Sequence, residues 1–211
     1  MERTPLDIAF VSDVACPWCA IGLASLDQAL ARLDGELEAT VHVEPFELNP
    51  DMGPEGAEVV QYLARKYGRT PEQVAQAQAR IRERGAAVGF AFAVRRRVWN
   101  TFAAHRVLHW AGLEGRGLEL ERGLLRAYHG EGRNPGAADV LAEVAGAVGL
   151  DAARARAIAE SAEFAAEVRE RERHWLQRGV AGVPLVVVND THAIEGAQPP
   201  DVFEQALRRI A

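Results

Sequence analysis

Two cysteines occur in the 211 residues, and both fall in one stretch, Val11-Ser12-Asp13-Val14-Ala15-Cys16-Pro17-Trp18-Cys19-Ala20. No other feature limits the fold as much. The apolar run Ile8-Ala9-Phe10-Val11 ahead of them, with Leu6 and Asp7, reads as a short buried strand. Ser12-Asp13 opens a turn. From Pro17 the pattern is helical, with Leu23, Leu26, Leu30 and Leu33 at spacings of three and four until Asp34-Gly35 stops it. A Cys-x-x-Cys pair is therefore delivered to the first turn of a helix. Unpaired N–H groups and the positive end of the helix dipole favour a thiolate there. Pro17 suits the first helical position, where its missing N–H costs nothing. Cys16 is read as a redox nucleophile. Cys19, one turn on and on the same face, is read as its more buried resolving partner. Trp18 adds apolar bulk beside the sulfur but no charge, leaving the helix end as the main source of thiolate stabilisation.

The bulk properties exclude several classes. Thirty acids against 24 Lys plus Arg leave a charge of -6, which argues against a nucleic-acid footprint. The run Arg95-Arg96-Arg97 is too short to change that and reads as a solvated face. No 18-residue apolar segment is present, so no membrane span is expected. Met1 to Asp7 lacks the basic and apolar regions of a signal peptide, and a cytoplasmic protein is expected. Two cysteines cannot form a disulfide framework. Half a zinc site is the competing use of Cys-x-x-Cys, but no second pair exists and no histidines are spaced to complete it.

Further along, Thr40-Val41-His42-Val43-Glu44 alternates as a second strand, continued by Pro45-Phe46 and ended by Asn49-Pro50-Asp51. The start is thus β-α-β. From about Ala57 to Arg178 nearly everything is helix-compatible: a helix capped by Thr70 with Pro71 first, then Thr101 to Ala111, Leu118 to His129, Asp139 to Val148, Asp151 to Ala159 and Ala162 to Gln177. The end returns to β. Val183 to Val188 is a buried-strand run, Asn189-Asp190 is a hairpin turn into Thr191 to Ile194, and Asp201 to Ile210 is a last helix. Removing the helical block leaves a compact four-stranded sheet with flanking helices. In Gly179-Val180-Ala181-Gly182-Val183-Pro184, the proline heads a strand. A locked peptide, cis included, and a plain strand-start proline both fit these residues.

Taken together, these stretches resemble the DsbA family of thioredoxin-fold proteins. The FrnE-like branch is the nearer match; it is related to 2-hydroxychromene-2-carboxylate isomerases and kappa-class glutathione transferases. The resemblance rests on Ser12-Asp13-x-x-Cys16-Pro17-Trp18-Cys19, Asn100-Thr101-x-x-Ala104-His105-Arg106, Ala127-Tyr128-x-x-Glu131-Gly132, Gly179-Val180-x-Gly182-Val183-Pro184 and Gly196-Ala197-Gln198, in family order. It implies an α/β, thioredoxin-like fold (β-α-β … β-β-α) with a large inserted all-helical domain. The expected division is residues 1–52 and 160–211 for the thioredoxin-like domain and 53–159 for the insertion.

The same resemblance implies dithiol-disulfide exchange through Cys16 and Cys19, with a cis Val183-Pro184 bond facing them. Pro17, Trp18, Val183 and Pro184 would meet the substrate, and Asn100, His105 and Arg106 are candidate groove residues. Expected partners are protein or small-molecule thiols and disulfides. No bound cofactor and no metal is expected, although glutathione is a candidate co-substrate. In the isomerase and transferase relatives a serine usually stands where Cys16 stands, so the two sulfurs here favour redox work. The chain lacks the second cysteine pair that some FrnE-like proteins carry. The alternatives are a glutathione-dependent isomerase or transferase on a small aromatic or polyketide-like substrate, and a non-enzymatic module with a vestigial Cys-x-x-Cys.

Other residues are read more plainly. His105 and His109, one helical turn apart, lack a metalloprotease glutamate and read as packing or solvated histidines. Arg126, Tyr128, His129 and Arg133 would line a cleft over the sulfur or cap a helix. Trp99, Trp110 and Trp175 read as inter-helix core.

Overall fold

The computed structural model describes residues 3–211. Met1 and Glu2, with which the segment 1–52 and the stretch Met1 to Asp7 begin, lie outside the described residues. Strand β1 (Thr4–Ser12) pairs in parallel with β2 (Leu37–Pro45), and helix α1 (Pro17–Arg32) makes the crossover that parallel pairing requires. Near the other end, β5 (Leu185–Val188) runs antiparallel to β1, and β6 (His192–Glu195) antiparallel to β5. The sheet order is β2-β1-β5-β6, with α9 (Pro200–Ile210) closing the chain. Asn189 and Asp190 take left-handed φ values of 50° and 60° in the hairpin, which these two residue types tolerate.

Strand periodicity sorts the core into two layers. Leu6, Ile8, Phe10, Val186 and Val188 face α1 and α9, meeting Leu23, Leu26, Phe203 and Leu207. The intervening residues Ala9, Val11, Leu185 and Val187 face the opposite way, onto Phe46 and Trp175. Fully burying a side chain such as Phe10 or Phe203 contributes about 2–3 kcal/mol.

Between β2 and β5 the chain forms β3 (Ala57–Glu58), α2 (Val59–Tyr67), α3 (Pro71–Ala87), β4 (Arg97–Val98), α4 (Phe102–Leu113) and α5 (Gly117–Leu125). A π-turn (Arg126–Gly130), α6 (Ala138–Ala147), α7 (Ala152–Ala159) and α8 (Ala165–Gln177) follow. Thr70 and Gln73 form a reciprocal capping box at the start of α3. Val107, Leu120, Leu124, Leu141 and Ile158 make a second core, and Val14 and Ala15 from the cysteine turn are part of it. Helix α8 is tied to β2 by Arg171, which donates to Glu44; the Trp175 indole donates to the same carboxylate at 3.1 Å.

Three expectations are corrected here. The stretch 57–178 is not nearly all helical: residues 88–101 form a turn and a non-helical segment, and within these stretches β3 and β4 form a two-stranded ribbon. Phe90 and Phe92 alternate along it and pack on the sheet core, with Phe92 lying over Gly85 of α3, where a Cβ would fall 2.4 Å from the ring. Arg95-Arg96-Arg97 is not simply a solvated face, because Arg95 donates to the Tyr128 hydroxyl and Arg97 to the Glu55 carbonyl. Trp175 packs against the sheet rather than between helices, whereas Trp110 lies in the helical core and Trp99 packs against that core, half-buried beneath the Arg97 guanidinium.

Candidate active site

Cys16 is the N-cap residue of α1, with extended backbone angles and Pro17 next in line. Both sulfurs are unbonded thiols. Cys16 is 3% exposed and Cys19 fully buried one turn deeper, while Trp18 between them is 38% exposed. The Val183–Pro184 peptide is cis, and the Cys16 thiol points at the Val183 carbonyl at 3.5 Å. An open groove of about 610 Å³ runs along this loop, lined by residues 178–185 together with Ala193, Glu195 and Gly196. Gly22 of α1 lets the loop approach: a Cβ there would sit 2.9 Å from Pro184 Cγ.

The turn that carries Cys16 is held from below by buried polar groups. Asp13 accepts from the Ala15 amide (2.9 Å), the Leu48 amide (2.7 Å) and the Thr101 hydroxyl (2.8 Å). His105 Nε2 lies 3.5 Å from the same carboxylate. Burial disfavours the Asp13 charge, but His105 and the two amides outweigh it and hold the carboxyl below its ordinary range. Burial likewise opposes a charged His105, yet Asp13, with Glu47 and Glu121 beyond it, keeps the imidazole above its usual value. His129 stands 2.8 Å from the Val14 carbonyl through Nε2. Burial, reinforced by the Arg95 charge, drives its pKa well down, so the ring is neutral and Nε2–H donates. Ser12 donates to Glu121 at 2.6 Å, and burial raises Glu121 to about 7.

The two sulfurs differ. Burial, then the hydrogen bond and charge of Cys16, push the Cys19 thiol well up, while Ser12 and the Asp13 backbone act in the opposite direction. Cys19 therefore holds its proton when Cys16 is ionised. Burial holds Lys66 of α2 below its ordinary value, with the Asp13 and Cys16 charges opposing it, and raises Tyr67, with the Cys16 charge adding to the rise. The Lys66 ammonium donates to the Leu48 carbonyl and to Asn49 Oδ1, each at 2.7 Å. These two residues were not anticipated, and no local pattern in α2 marks them.

Of the anticipated residues, Cys16, Cys19, Pro17, Trp18, Val183 and Pro184 come together. Asn100, His105 and Arg106 do not reach the groove. Asn100 caps α4 by accepting from the Phe102 amide and donates to the Met52 carbonyl. Arg106 is buried with its guanidinium on the carbonyls of Ile158, Ala159 and Ser161, closing the C-terminal end of α7. His105 belongs to the buried layer beneath the turn. His109 turns away from it to lie 5.2 Å from the Phe164 ring. Tyr128 and His129 are buried rather than lining a cleft, and Arg133 pairs with Glu143. Arg126 borders a separate cavity of about 420 Å³ on the other side of α1, with Arg122, Asp27 and Phe90.

A four-stranded sheet that presents a Cys-x-x-Cys helix start to a cis-proline loop defines a thioredoxin-fold protein. The chain belongs to the DSBA-like thioredoxin domain family, whose model matches residues 7–208. It is similar to a probable DsbA oxidoreductase, SCO1869 from Streptomyces coelicolor, at 35% identity and a TM-score of 0.89, covering 97% of this chain and 89% of that one. Two more distant structures share the fold. A 2-hydroxychromene-2-carboxylate isomerase is 17% identical with a TM-score of 0.73, over 97% of this chain and 95% of that one. The cytosolic disulfide reductase DsbM of Pseudomonas aeruginosa, solved with GSH, is 21% identical with a TM-score of 0.62, over 97% and 98%. Among the described residues, no helix is long and apolar enough to cross a membrane.

Proposed function

We propose that the protein is a dithiol-disulfide oxidoreductase acting through Cys16 and Cys19, and that it works in the cytoplasm. One observation carries this reading. Cys16 caps a helix and its thiol faces the Val183 carbonyl of the cis-proline loop, while its partner sulfur lies buried one turn below. In the reducing direction the Cys16 thiolate attacks a substrate disulfide and one substrate thiolate leaves. Cys19 then attacks Cys16 in the mixed disulfide and frees the second. The oxidising direction is the reverse. The exposed backbone at Ala181 and Gly182 offers an extended partner chain a place to pair beside the sulfur.

Insulin reduction, or refolding of reduced ribonuclease, compared between wild type and Cys16→Ser tests the proposal. Activity is expected only in the wild type, and equal activity in both would sink it. Cys19→Ser is expected to accumulate a Cys16 adduct visible by mass spectrometry.

Glutathione is the second partner we propose, as a thiol co-substrate. Its support is the DsbM neighbour solved with GSH and a groove of a size suited to a tripeptide. Calorimetry on Cys19→Ser at millimolar glutathione should give saturable binding, and a flat titration would remove glutathione from the scheme. An isomerase reading has only the shared fold behind it, and the paired sulfurs favour redox exchange.

A further inference from the structure

Helices α2 and α3 and the turn between them reverse the charge of the chain. They carry Arg65, Lys66, Arg69, Arg80, Arg82 and Arg84 against only Glu72 and Glu83, although the net charge of the protein is -6. All six cations are exposed, and among the described residues none of them forms an ion pair with a carboxylate. Other helices treat their arginines differently: Arg133, Arg154 and Arg171 are each gripped by a glutamate.

The unpaired cations are arranged as a track. At about 3.6 residues per turn, Gln73, Gln76, Ala77, Arg80 and Arg84 share one face of α3. That face is turned away from the buried Val74 and Gly85, and Glu72 and Glu83 lie to one side of it. Arg69 joins the track at its start, where it and Arg80 line a concavity of about 400 Å³ that has no carboxylate in its walls. The Arg69 guanidinium also lies 5.5 Å from the centre of the Tyr67 ring. At the other end, Arg84 donates to the Ala197 carbonyl at 3.4 Å. The residue before Ala197 is Gly196, which lines the groove of the cis-proline loop and donates its amide to the Pro184 carbonyl at 2.9 Å. The track therefore ends at the rim of the groove.

We propose that this face of α3, with Arg69, is the docking surface for an acidic segment of the protein whose thiol or disulfide is exchanged at Cys16. The proposal rests on the oxidoreductase reading above and names the kind of partner that it serves. A partner chain lying extended in the groove passes Gly196 and Ala197 as it leaves. Carboxylates a few residues from its cysteine then meet Arg84, Arg80 and Arg69 in turn. Guanidinium groups bind carboxylates through paired, charge-assisted hydrogen bonds, and the Gln73 and Gln76 amides add neutral donors. Arg80 and Arg84 stand one helical turn apart and repel each other until such a counter-charge arrives. The groove itself supplies no net attraction for acids, because Glu195 is in its wall and Arg178 is paired with Asp190. Selection by charge therefore falls to the hairpin. A nucleic acid fits less well, since a phosphate backbone longer than the track would run onto the acid-rich remainder of the surface.

The test uses three peptides of equal length, each closed by one disulfide, with Glu, Ser or Lys flanking the cysteines. The second-order rate of their reduction by the reduced protein is followed by acid quenching and chromatography. At about 0.01 M salt, where charges act over about 30 Å, the Glu peptide should react about tenfold faster than the Ser peptide, and the Lys peptide slowest. At about 1 M salt, where the range is about 3 Å, the three rates should converge. Combined Arg69→Ser, Arg80→Ser and Arg84→Ser should bring the Glu-to-Ser ratio at low salt down to about one. Lysine at the same three positions should retain most of it, because the charge remains. The wild-type charge and salt series decides the matter if the serine variant does not fold. Reaction with none of the peptides would refute the oxidoreductase reading itself. Equal wild-type rates with all three at low salt, or a Glu preference that persists in the serine variant, would overturn the docking surface alone. So would a single-stranded oligonucleotide that binds wild type more tightly than the Glu peptide and loses that binding in the serine variant.

Discussion

At the scale of single residues, Cys19 and Glu121 are both buried acids that burial makes weaker, and Ser12 donates to the Glu121 carboxylate. The consequence for stability has a definite sign. An unfolded glutamate titrates near 4.5, whereas the folded one titrates at about 7. The folded chain therefore holds that proton to higher pH, and stability falls as pH rises from about 4.5 to about 7, then levels. The full effect is about 3 kcal/mol at most. Urea unfolding of wild type and Glu121→Gln at acid and mildly alkaline pH checks this. The difference between them should move in favour of the variant as pH rises, and a constant difference would show that Glu121 is ionised throughout. Asp13 has the opposite behaviour: its folded pKa is lowered, so its contribution is present above about 3.9 and is lost as pH falls through the folded value.

At the scale of elements, the close approach of α1 to the Pro184 loop depends on a missing side chain. Gly22→Ala would put a methyl 2.9 Å from Pro184 Cγ and 3.5 Å from the Ala197 backbone. The loop must then shift by tenths of an ångström, at a stability cost of about 1–2 kcal/mol. Turnover with a peptide disulfide is expected to fall about tenfold, because the Val183 carbonyl moves relative to Cys16. Steady-state kinetics together with thermal unfolding separates the two effects. Arg106 serves another element boundary. Arg106→Met would strand three carbonyls at the end of α7 and cost about 3 kcal/mol. Denaturant unfolding measures that loss. Once corrected for the folded fraction, turnover should be unchanged, since the guanidinium does not reach the groove.

Across the whole molecule, the cysteine turn belongs to two cores at once. Cys16 and Cys19 pack with the sheet, while Val14 and Ala15 pack with the helices between β2 and β5. Thr101, His105, Glu121 and His129 all reach Ser12, Asp13 or Val14 from the helical side. We propose the division into 1–52 with 160–211 and 53–159 as a description of chain layout, with the two parts folding as one cooperative unit. Separating them would leave buried polar groups of the turn without partners, at about 1–3 kcal/mol each. Far-ultraviolet circular dichroism and tryptophan fluorescence should give coincident urea transitions, and two resolved transitions would contradict the proposal. Excision of 53–159 should give a chain that does not form a stable sheet.

The sequence by itself determined the parts of this protein that depend on neighbours along the chain. Strand and helix periods placed β1, α1, β2, the β5–β6 hairpin and α9, and the Thr70–Pro71 signal placed the start of α3. The same locality put Cys16 at a helix start with Cys19 one turn below. The non-helical stretch 88–101 was hidden because Phe90 and Phe92 lie among helix-compatible residues, and their packing over Gly85 and the sheet core is a tertiary contact. Asn100, His105 and Arg106 follow the family pattern, yet pattern alone does not distinguish a groove side chain from one that caps or braces a helix. That difference depends on which carbonyls and carboxylates tertiary packing brings near. Tertiary packing alone tied Lys66 to the Leu48 carbonyl beside the Asp13 turn, set Gly22 against Pro184, and brought Glu121 under Ser12 from 109 residues away. Desolvation and hydrogen bonding across such distances arise from packing, so the placement of the two sulfurs could be read locally and the buried polar layer beneath them could not.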